Sequence, residues 1–297
     1  MELRHIRYFM AVAEEMNFTR AAEKLCIAQP PLSRQIRDLE EELGAKLFER
    51  NSHSLSLTDE GLLFRQYAAR ILELESRSKD DISGLSRGLH GRIYIATVEG
   101  YGPHLLAGWI SGFHEENPGV QYELWTGTTD EIVNRLHKGL SDMAIVMEPF
   151  GDPGMNSVRV HSEPWSAIIP KDDPLAKKRG RKVKPADLEN RELIIPSRAS
   201  RSEEFRKWMP HPEKSLNVVC RVAHLINVRE LAMAGVGIAI FPRSEGVMAE
   251  DDSIVIKDID HPDAVASYLM VWSRERPLSR AADEMLSYIK GRIQDPQ

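Results

Sequence analysis

Residues 17–44 constrain the fold of this chain more than any other segment, because their spacing predicts two short helices joined by a tight turn. Asn17 or Thr19 is placed to cap the first of these helices. Two small alanines in it would let a second helix cross closely over the first. The apolar positions that recur at helical intervals are Phe18, Ala21, Ala22 and Leu25.

The second predicted helix is amphipathic. Pro30 and Pro31 fit only the opening turn of a helix, so we expect it to begin near Gln29 and to end before Gly44, which suits a left-handed C-terminal residue. One face carries an apolar stripe of Leu32, Ile36, Leu39 and Leu43. The opposite face carries Gln29, Ser33, Arg34 and Arg37. Such a helix can lie in the major groove of DNA, where Gln suits adenine, Arg suits guanine or phosphate, and proline contacts thymine methyl groups.

The flanking segments complete a helix-turn-helix module. An amphipathic helix precedes it, and a short wing is expected after Leu47, with Arg50 and His53 placed to reach the DNA backbone or minor groove. The predicted DNA-binding residues are therefore Gln29, Pro30, Pro31, Ser33, Arg34, Arg37, Arg50 and His53.

Several sequence blocks match a known family. The specific ones are FTRAAEKL, AQPPLSRQIRDLEEELG, LFER and LTDEG, and weaker ones are GRIYIATVEGY, PGVQYELWTGTTDEIVNRL, LSDMAIVMEP, KDDPLA and AMAGVGIAIFP. On these blocks the chain resembles the LysR-type transcriptional regulators. The resemblance implies an α/β fold class with an N-terminal winged helix-turn-helix, a long linker helix and a two-lobed effector domain like a periplasmic binding protein. It also implies a dimer of dimers that binds double-stranded promoter DNA, a small-molecule effector and RNA polymerase.

We place the domain boundaries by combining this resemblance with the sequence pattern. The DNA-binding domain spans 1–58, the linker helix and hinge span 59–91, and the effector domain spans 92–297. Within the last, lobe one comprises 92–160 plus 268–297, and lobe two comprises 161–267.

The linker pattern predicts one long helix over residues 59–85, on the order of 40 Å in length. Thr58 is placed to cap it. Its apolar face needs a partner, and a second copy of the chain is the simplest one; the alternative is that it packs on its own effector domain. A hinge is expected near Gly84, Gly88 and Gly91.

Composition limits the kinds of partner. The chain of 297 residues has a net charge of −6, which argues against a general polyanion binder. Residues 1–58 carry eight basic and nine acidic side chains, so a DNA-binding surface must arise by segregation of charge, and its affinity should depend on salt.

Other classes of function find little support. No apolar run approaches the roughly 18 residues that span a membrane, and we expect a cytoplasmic protein without a signal peptide. Cys26 and Cys220, the only cysteines, are expected to be small buried groups rather than a disulfide or metal site. Motifs such as HExxH, GxSxG and the P-loop are absent, so we expect no enzyme, cofactor or metal. A ligand-binding protein whose helix-turn-helix serves only protein contacts is the remaining alternative.

After residue 92 short apolar strands alternate with helices, which is typical of open α/β sheets. The predicted strands are IYIATV, VQYELW, MAIVM, WSAIIP, ELIIP, NVVCRV, GIAIF and YLMVW. Ligands of such folds bind beyond the carboxyl ends of strands, here between the lobes. The effector-binding candidates at those positions are Glu99, Gly100, Tyr101, Thr128, Thr129, Glu148, Ser197, Arg198, Arg201, His224 and Asn227.

The charges among these candidates suggest an effector class. The family resemblance implies that Gly100 and Thr129 contact the effector, but many relatives have Ser or Thr where this chain has Glu99. We therefore expect Glu99 and Glu148 to face Arg198 or Arg201 across the cleft, around a small zwitterionic or hydroxylated metabolite. The alternative is that Glu99 caps a helix or pairs with a basic neighbour, and that the arginines are solvated.

Overall fold

The structure, a computed structural model, describes residues 1–51, 54–84, 89–212, 214, 216–244 and 253–294. The chain divides into two compact units, Met1–Gly91 and Arg92–Gln297, which are described separately.

The first unit is a winged helix-turn-helix followed by a long helix. Its two strands form an antiparallel ribbon in which Phe48 lies opposite Leu57. The elements are α1 (Leu3–Glu15), α2 (Phe18–Lys24), α3 (Gln29–Leu43), β1 (Phe48–Asn51), β2 (Ser54–Leu57) and α4 (Asp59–Gly84).

Local chemistry explains the boundaries of α2 and α3. Asn17 Oδ1 accepts hydrogen bonds from the backbone N–H groups of Thr19 and Arg20, so Asn17 is the cap. Helix α3 begins at Gln29, as predicted, and Gly44 adopts the expected left-handed conformation at φ +67°. The predicted apolar stripe is wrong at its last member, because Leu43 is 40% exposed at the end of the helix.

The core of this unit includes the start of α4. Phe64 and Ala68 are buried with Phe9 and Phe48, whereas Leu74 is 68% exposed. Thr58 Oγ1 accepts a hydrogen bond from Gly61 N–H at 2.9 Å, which caps α4 as expected. Part of the predicted apolar face is therefore covered within its own unit, by α1 and the wing. Gly88 of the expected hinge lies outside the described residues.

The second unit is a two-part α/β structure. The sheet order is β4-β3-β5-β12-β6-β10-β8-β9, with β11 paired to β6 and β7 to β11. The strands are β3 (Gly91–Thr97), β4 (Val120–Thr126), β5 (Met143–Met147), β6 (Met155–Pro170), β7 (Lys182–Val183), β8 (Leu193–Pro196), β9 (Val218–Val222), β10 (Ile238–Pro242), β11 (Ile254–Ile259) and β12 (Val265–Ser273). The helices are α5 (Gly102–Glu116), α6 (Thr129–Lys138), α7 (Pro174–Lys177), α8 (Ala199–Trp208), α9 (Leu225–Met233) and α10 (Arg280–Gln294), together with a 3₁₀ turn at Pro185–Leu188.

Strand β6 joins the two parts. It pairs with β12 up to Pro164 and with β10 and β11 from Trp165 onward. We call the part around β3, β4, β5 and β12 the first lobe and the part around β8, β9, β10 and β11 the second lobe. The sequence pattern predicted only the second half of β6, because its first half alternates polar and apolar residues. Strand β11 escaped prediction because Lys257 and Asp258 interrupt its apolar run.

None of the helices in the described part of the chain is long and apolar enough to cross a membrane.

Candidate functional site

The exposed face of α3 is the candidate DNA-binding surface. Pro30, Arg34 and Arg37 recur at helical spacing and are exposed, as is Pro31, and Gln29 is half-buried. Within the described residues, neither guanidinium of Arg34 and Arg37 forms a hydrogen bond or ion pair with another side chain. Both charges are thus available to an external anion.

Three of the predicted DNA-binding residues are not seen on the exposed face. Ser33 was placed on the exposed face, but it is only 9% exposed because it packs toward the core of its unit, and this placement was wrong. Arg50 lies in β1, while its side chain and His53 fall outside what the structure describes.

Glu40 holds the wing to α3, a role that the sequence pattern did not predict. Its Oε1 accepts hydrogen bonds from the backbone N–H groups of Leu47 at 2.9 Å and Phe48 at 3.3 Å. Its Oε2 accepts one from Lys46 Nζ at 2.8 Å. The available signal was position: Glu40 follows Ile36 by four residues and so lies beside the apolar stripe.

A cavity of about 120 Å³ lies between the two lobes of the second unit. It forms where strands end and helices begin, since β3 leads into Glu99, β4 into Thr128 and β8 into Ser197. Seven predicted effector-binding residues line it: Glu99, Gly100, Thr128, Thr129, Ser197, Arg198 and Arg201. The strand ends did not indicate the apolar wall of the cavity, which includes Met147, Trp165, Val222, Leu225 and Phe241.

Glu99 links the two lobes across this cavity. Its Oε1 lies 3.0 Å from His224 Nδ1, and its Oε2 accepts a hydrogen bond from the backbone N–H of Leu225 at the start of α9. Glu99 therefore both caps a helix and pairs with a basic neighbour, the alternative that the sequence left open. Its two oxygens are already engaged.

Arg198 forms a second link between the lobes. Its Nη2 lies 3.3 Å from Asp130 Oδ1, and its Nη1 donates to the carbonyl oxygen of Pro149 at 3.4 Å. The charge of Arg198 is therefore balanced in part by the opposite lobe.

Four predicted residues lie outside the cavity lining: Tyr101, Glu148, His224 and Asn227. Glu148 pairs with Arg159 Nη2 at 3.0 Å, and the ring of Tyr101 stacks on His161 at 4.0 Å. Asn227 is exposed on α9. Glu148 was expected beside Glu99 in the cleft, but it lies outside the cavity lining, whereas Glu99 lines the cavity with both of its oxygens already bonded.

Arg201 differs from Glu99 and Arg198, because two nitrogens of its charged group lack hydrogen-bond acceptors among the described residues. It is 5% exposed, and its Nη1 and Nη2 have no hydrogen-bond partner within the part of the chain that the structure describes. Nη1 lies 3.5 Å from Glu204 Oε2 without hydrogen-bond geometry. Burial lowers the pKa of Arg201 to about 10, so the guanidinium is still charged at neutral pH. Burial also raises the pKa of Glu204.

Glu163, Ser244 and Tyr268 form a hydrogen-bonded polar cluster where the two lobes meet. The buried Glu163 of β6 accepts hydrogen bonds from Ser244 N–H at 2.7 Å and from the Tyr268 hydroxyl. Burial raises the pKa of Tyr268, so it remains a neutral donor. A Cβ at Gly100 would lie 2.8 Å from Ser244 Oγ, which explains why the loop after β3 carries glycine there.

The cysteines differ from expectation. Cys26 is exposed and Cys220 is partly exposed, so the prediction that both thiols are buried was wrong. Cys26 lies in the tight turn between α2 and α3, at φ +56°, where the chain reverses at the surface.

Each of the two units matches the model of a known protein family. Residues 3–62 match the model of the bacterial regulatory helix-turn-helix protein, lysR family, and residues 86–294 match the LysR substrate binding domain. The chain belongs to the LysR family of transcriptional regulators. Members of this family are DNA-binding regulators with an effector-binding domain rather than enzymes. The predicted DNA-binding helix-turn-helix and the predicted effector-binding domain are both confirmed.

Individual relatives of this LysR-family chain include two curated regulators. It is 35% identical to the transcriptional regulator BenM of Acinetobacter baylyi over 204 residues, which are 66% of this chain and 64% of BenM, just under two thirds of that protein. It is 30% identical to the Hca operon transcriptional activator HcaR of Escherichia coli over 245 residues, 82% of each chain.

Solved structures show the same fold. The crystal structure of CbnR, a LysR family transcriptional regulator, superimposes with a TM-score of 0.81 at 27% identity, covering 99% of this chain and 100% of CbnR. Full-length CbnR complexed with its target DNA also has a TM-score of 0.81, at 28% identity, covering 98% of this chain and 99% of CbnR.

Proposed function

We propose that this LysR-family protein controls transcription by coupling a small molecule in the inter-lobe cavity to the way that α3 binds promoter DNA. The observation that carries the proposal is a cavity lined from both lobes and spanned by two links, Glu99 with His224 and Arg198 with Asp130. A molecule that enters this cavity contacts both lobes, so it favours one spacing of the lobes over another.

The proposed domain organisation keeps the predicted boundaries, with DNA binding by 1–58, a linker at 59–91 and effector binding by 92–297. The effector lobes comprise 92–160 plus 268–297, and 161–267. Strands β6 and β12 support this division, because they carry the chain between the lobes and pair at Pro164 and Val265.

On the DNA side we propose two copies of α3 that contact half-sites about one helical turn (~34 Å) apart, or a multiple of that. The exposed apolar side chains of α4 support self-association, because they lie on a helix whose other face is already packed in its own unit. They are Leu62, Leu63, Tyr67 and Leu74. Two such dimers would form the DNA-bending tetramer and act with RNA polymerase in the cytoplasm.

The test is to fill the cavity without a ligand. Ser197 lines the cavity and is exposed, so Ser197→Trp adds an indole there with little strain in the core. Ser157→Trp, at an exposed position of β6 away from the cavity, is the control. DNA sites are first selected from random duplexes with the full-length wild-type protein and then footprinted with both variants.

We expect the wild type to retain one defined sequence. Ser197→Trp should change its affinity for that sequence by about 5- to 150-fold, or change the length of the footprint, because allosteric couplings have this size. Ser157→Trp should behave as wild type. Retention without sequence selectivity, or equal affinities together with identical footprints for all three proteins, would refute the proposed function.

A further inference from the structure

The guanidinium of Arg201 is the clearest sign of what the cavity binds. Arg201 is only 5% exposed to solvent. Two of its guanidinium nitrogens nevertheless have no hydrogen-bond acceptor among the residues described. A buried donor without an acceptor is costly, and more so when it is charged. The site thus has donors that an external acceptor would satisfy.

A second unpartnered donor lies beside Arg201. Trp165 is fully buried and lines the same cavity, and its indole Nε1 lacks an acceptor in the described part of the structure. The Arg201 guanidinium carbon lies 5.8 Å from the centre of the Trp165 ring. Two neighbouring side chains that line one cavity therefore carry N–H groups without an acceptor among the described residues.

The acids near the cavity do not supply the missing acceptor. Both oxygens of Glu99 bind His224 and the start of α9. Glu148 is held by Arg159. Glu204 Oε2 forms an ion pair with Arg201 Nη1 at 3.5 Å, but without hydrogen-bond geometry, so the N–H groups of Nη1 and Nη2 remain without an acceptor among the described residues. A ligand that carries its own negative charge would complete the site.

Apolar side chains form a large part of the remaining wall, beside the hydroxyl groups of Thr128, Thr129 and Ser197. Met147, Val222, Leu225 and Phe241 line the cavity together with Trp165. Its volume of about 120 Å³ is close to that of cavities of roughly 150 Å³ that hold benzene. An inorganic anion would satisfy Arg201 but leave these walls without contacts.

We infer that the effector is a small carboxylate with an apolar body, held by Arg201 and Trp165, rather than the zwitterionic or hydroxylated metabolite suggested by the sequence. A carboxylate accepts two parallel hydrogen bonds from the planar guanidinium, and the apolar body packs on Phe241 and its neighbours. This inference rests on the proposed function, because it assigns a ligand class to the same cavity.

The experiment is titration calorimetry on the full-length protein with three matched pairs of probes. Benzoate, phenylacetate and hexanoate are each compared with the primary amide of the same shape, and inorganic phosphate is added as an anion without an apolar body. We expect at least one carboxylate to bind, at least about tenfold more tightly than its amide, and phosphate not to bind. Tenfold corresponds to ~1.4 kcal/mol.

Two substitutions on α8 test whether Arg201 is the residue that binds the carboxylate. Arg201→Gln should weaken carboxylate binding by about tenfold or more, whereas Arg206→Gln, an exposed arginine on the same helix, should leave it unchanged. Arg201→Met, measured without ligand, separates loss of binding from loss of folding. It should not lower the melting temperature, since it removes a poorly paired buried charge. If Arg201 is instead only a structural partner of Glu204, Arg201→Met lowers the melting temperature and Arg201→Gln leaves carboxylate affinity intact.

Failure of the inference can be distinguished from failure of the proposed function. If no carboxylate binds, or amides bind equally well, the ligand class is wrong, while the footprint change of Ser197→Trp still supports regulation through the cavity. If a carboxylate binds as expected but neither it nor Ser197→Trp changes the footprint, the ligand class holds and the regulatory proposal fails.

Discussion

Glu99 Oε1 lies 3.0 Å from His224 Nδ1, and these two residues are 125 positions apart in the chain. The contact joins the end of β3 in the first lobe to the start of α9 in the second. The same carboxylate also accepts from the N–H of Leu225, where the positive end of the helix dipole favours an acid. Glu99 therefore helps to set the spacing of the lobes around the cavity.

Glu99→Gln should lower the free energy of unfolding of the second unit by about 1 kcal/mol, since charge-assisted hydrogen bonds become neutral ones. Urea denaturation followed by circular dichroism measures this. Glu115→Gln, an exposed acid on α5, is the control and should be within error of wild type. Equal stability of both variants would show that the Glu99 link contributes nothing.

Arg34→Ala and Arg37→Ala separate two kinds of DNA contact. Loss of a base contact should weaken specific binding by about 1–3 kcal/mol and relax the preference at one base pair. Loss of a phosphate contact should weaken binding to all sequences alike and reduce the salt slope by about 1. Fluorescence anisotropy over a range of salt concentrations distinguishes them. If neither variant differs from wild type, α3 is not the DNA-binding helix.

Glu40→Ala should destabilise the first unit by about 1–3 kcal/mol, because it leaves the backbone N–H groups of Leu47 and Phe48 without their carboxylate acceptor. Glu41→Ala, the exposed neighbour on α3, should have little effect. Chemical denaturation of both variants provides the comparison. A Glu40→Ala protein as stable as Glu41→Ala would mean that water replaces the carboxylate at no cost.

Two helical glycines should respond in opposite directions to alanine. At Gly61 a Cβ would lie 2.1 Å from the carbonyl oxygen of Leu47, so Gly61→Ala should lower stability by at least about 1–3 kcal/mol. At Gly291 on α10 nothing lies within 4 Å, so Gly291→Ala should raise stability by roughly 0.5–1 kcal/mol. Calorimetry reports both, since the two glycines lie in different units. A Gly61→Ala protein as stable as the wild type would contradict the packing described at Gly61, and a destabilised Gly291→Ala protein would contradict the open space at Gly291.

Regular elements were predictable where the local pattern was strong. The prolines at the start of α3 and the glycine after it restrict backbone conformation wherever they occur, so the bounds of α3 followed from the residues alone. The first half of β6 was missed because its alternating polar residues, including Arg159 and His161, face partners that only the sheet supplies.

The family blocks and the ends of strands also indicated which loops surround the cavity. They did not indicate which charges remain unpaired there. Glu99, Arg198 and Arg201 look equivalent as charged loop residues, yet the first two find partners across the cleft and Arg201 lacks a hydrogen-bond acceptor in the described structure.

The sequence by itself determined the helix-turn-helix, the long linker helix and the α/β character of the second unit, because periodicity, caps and helix breakers act over a few neighbouring residues. Only the tertiary structure decided that Ser33 and Glu40 are buried, that Glu99 links the lobes and that Arg201 lines the inter-lobe cavity without a hydrogen-bond acceptor among the described residues. Burial and charge pairing depend on residues distant in the chain, and folding alone brings them within the few ångströms over which hydrogen bonds and desolvation act.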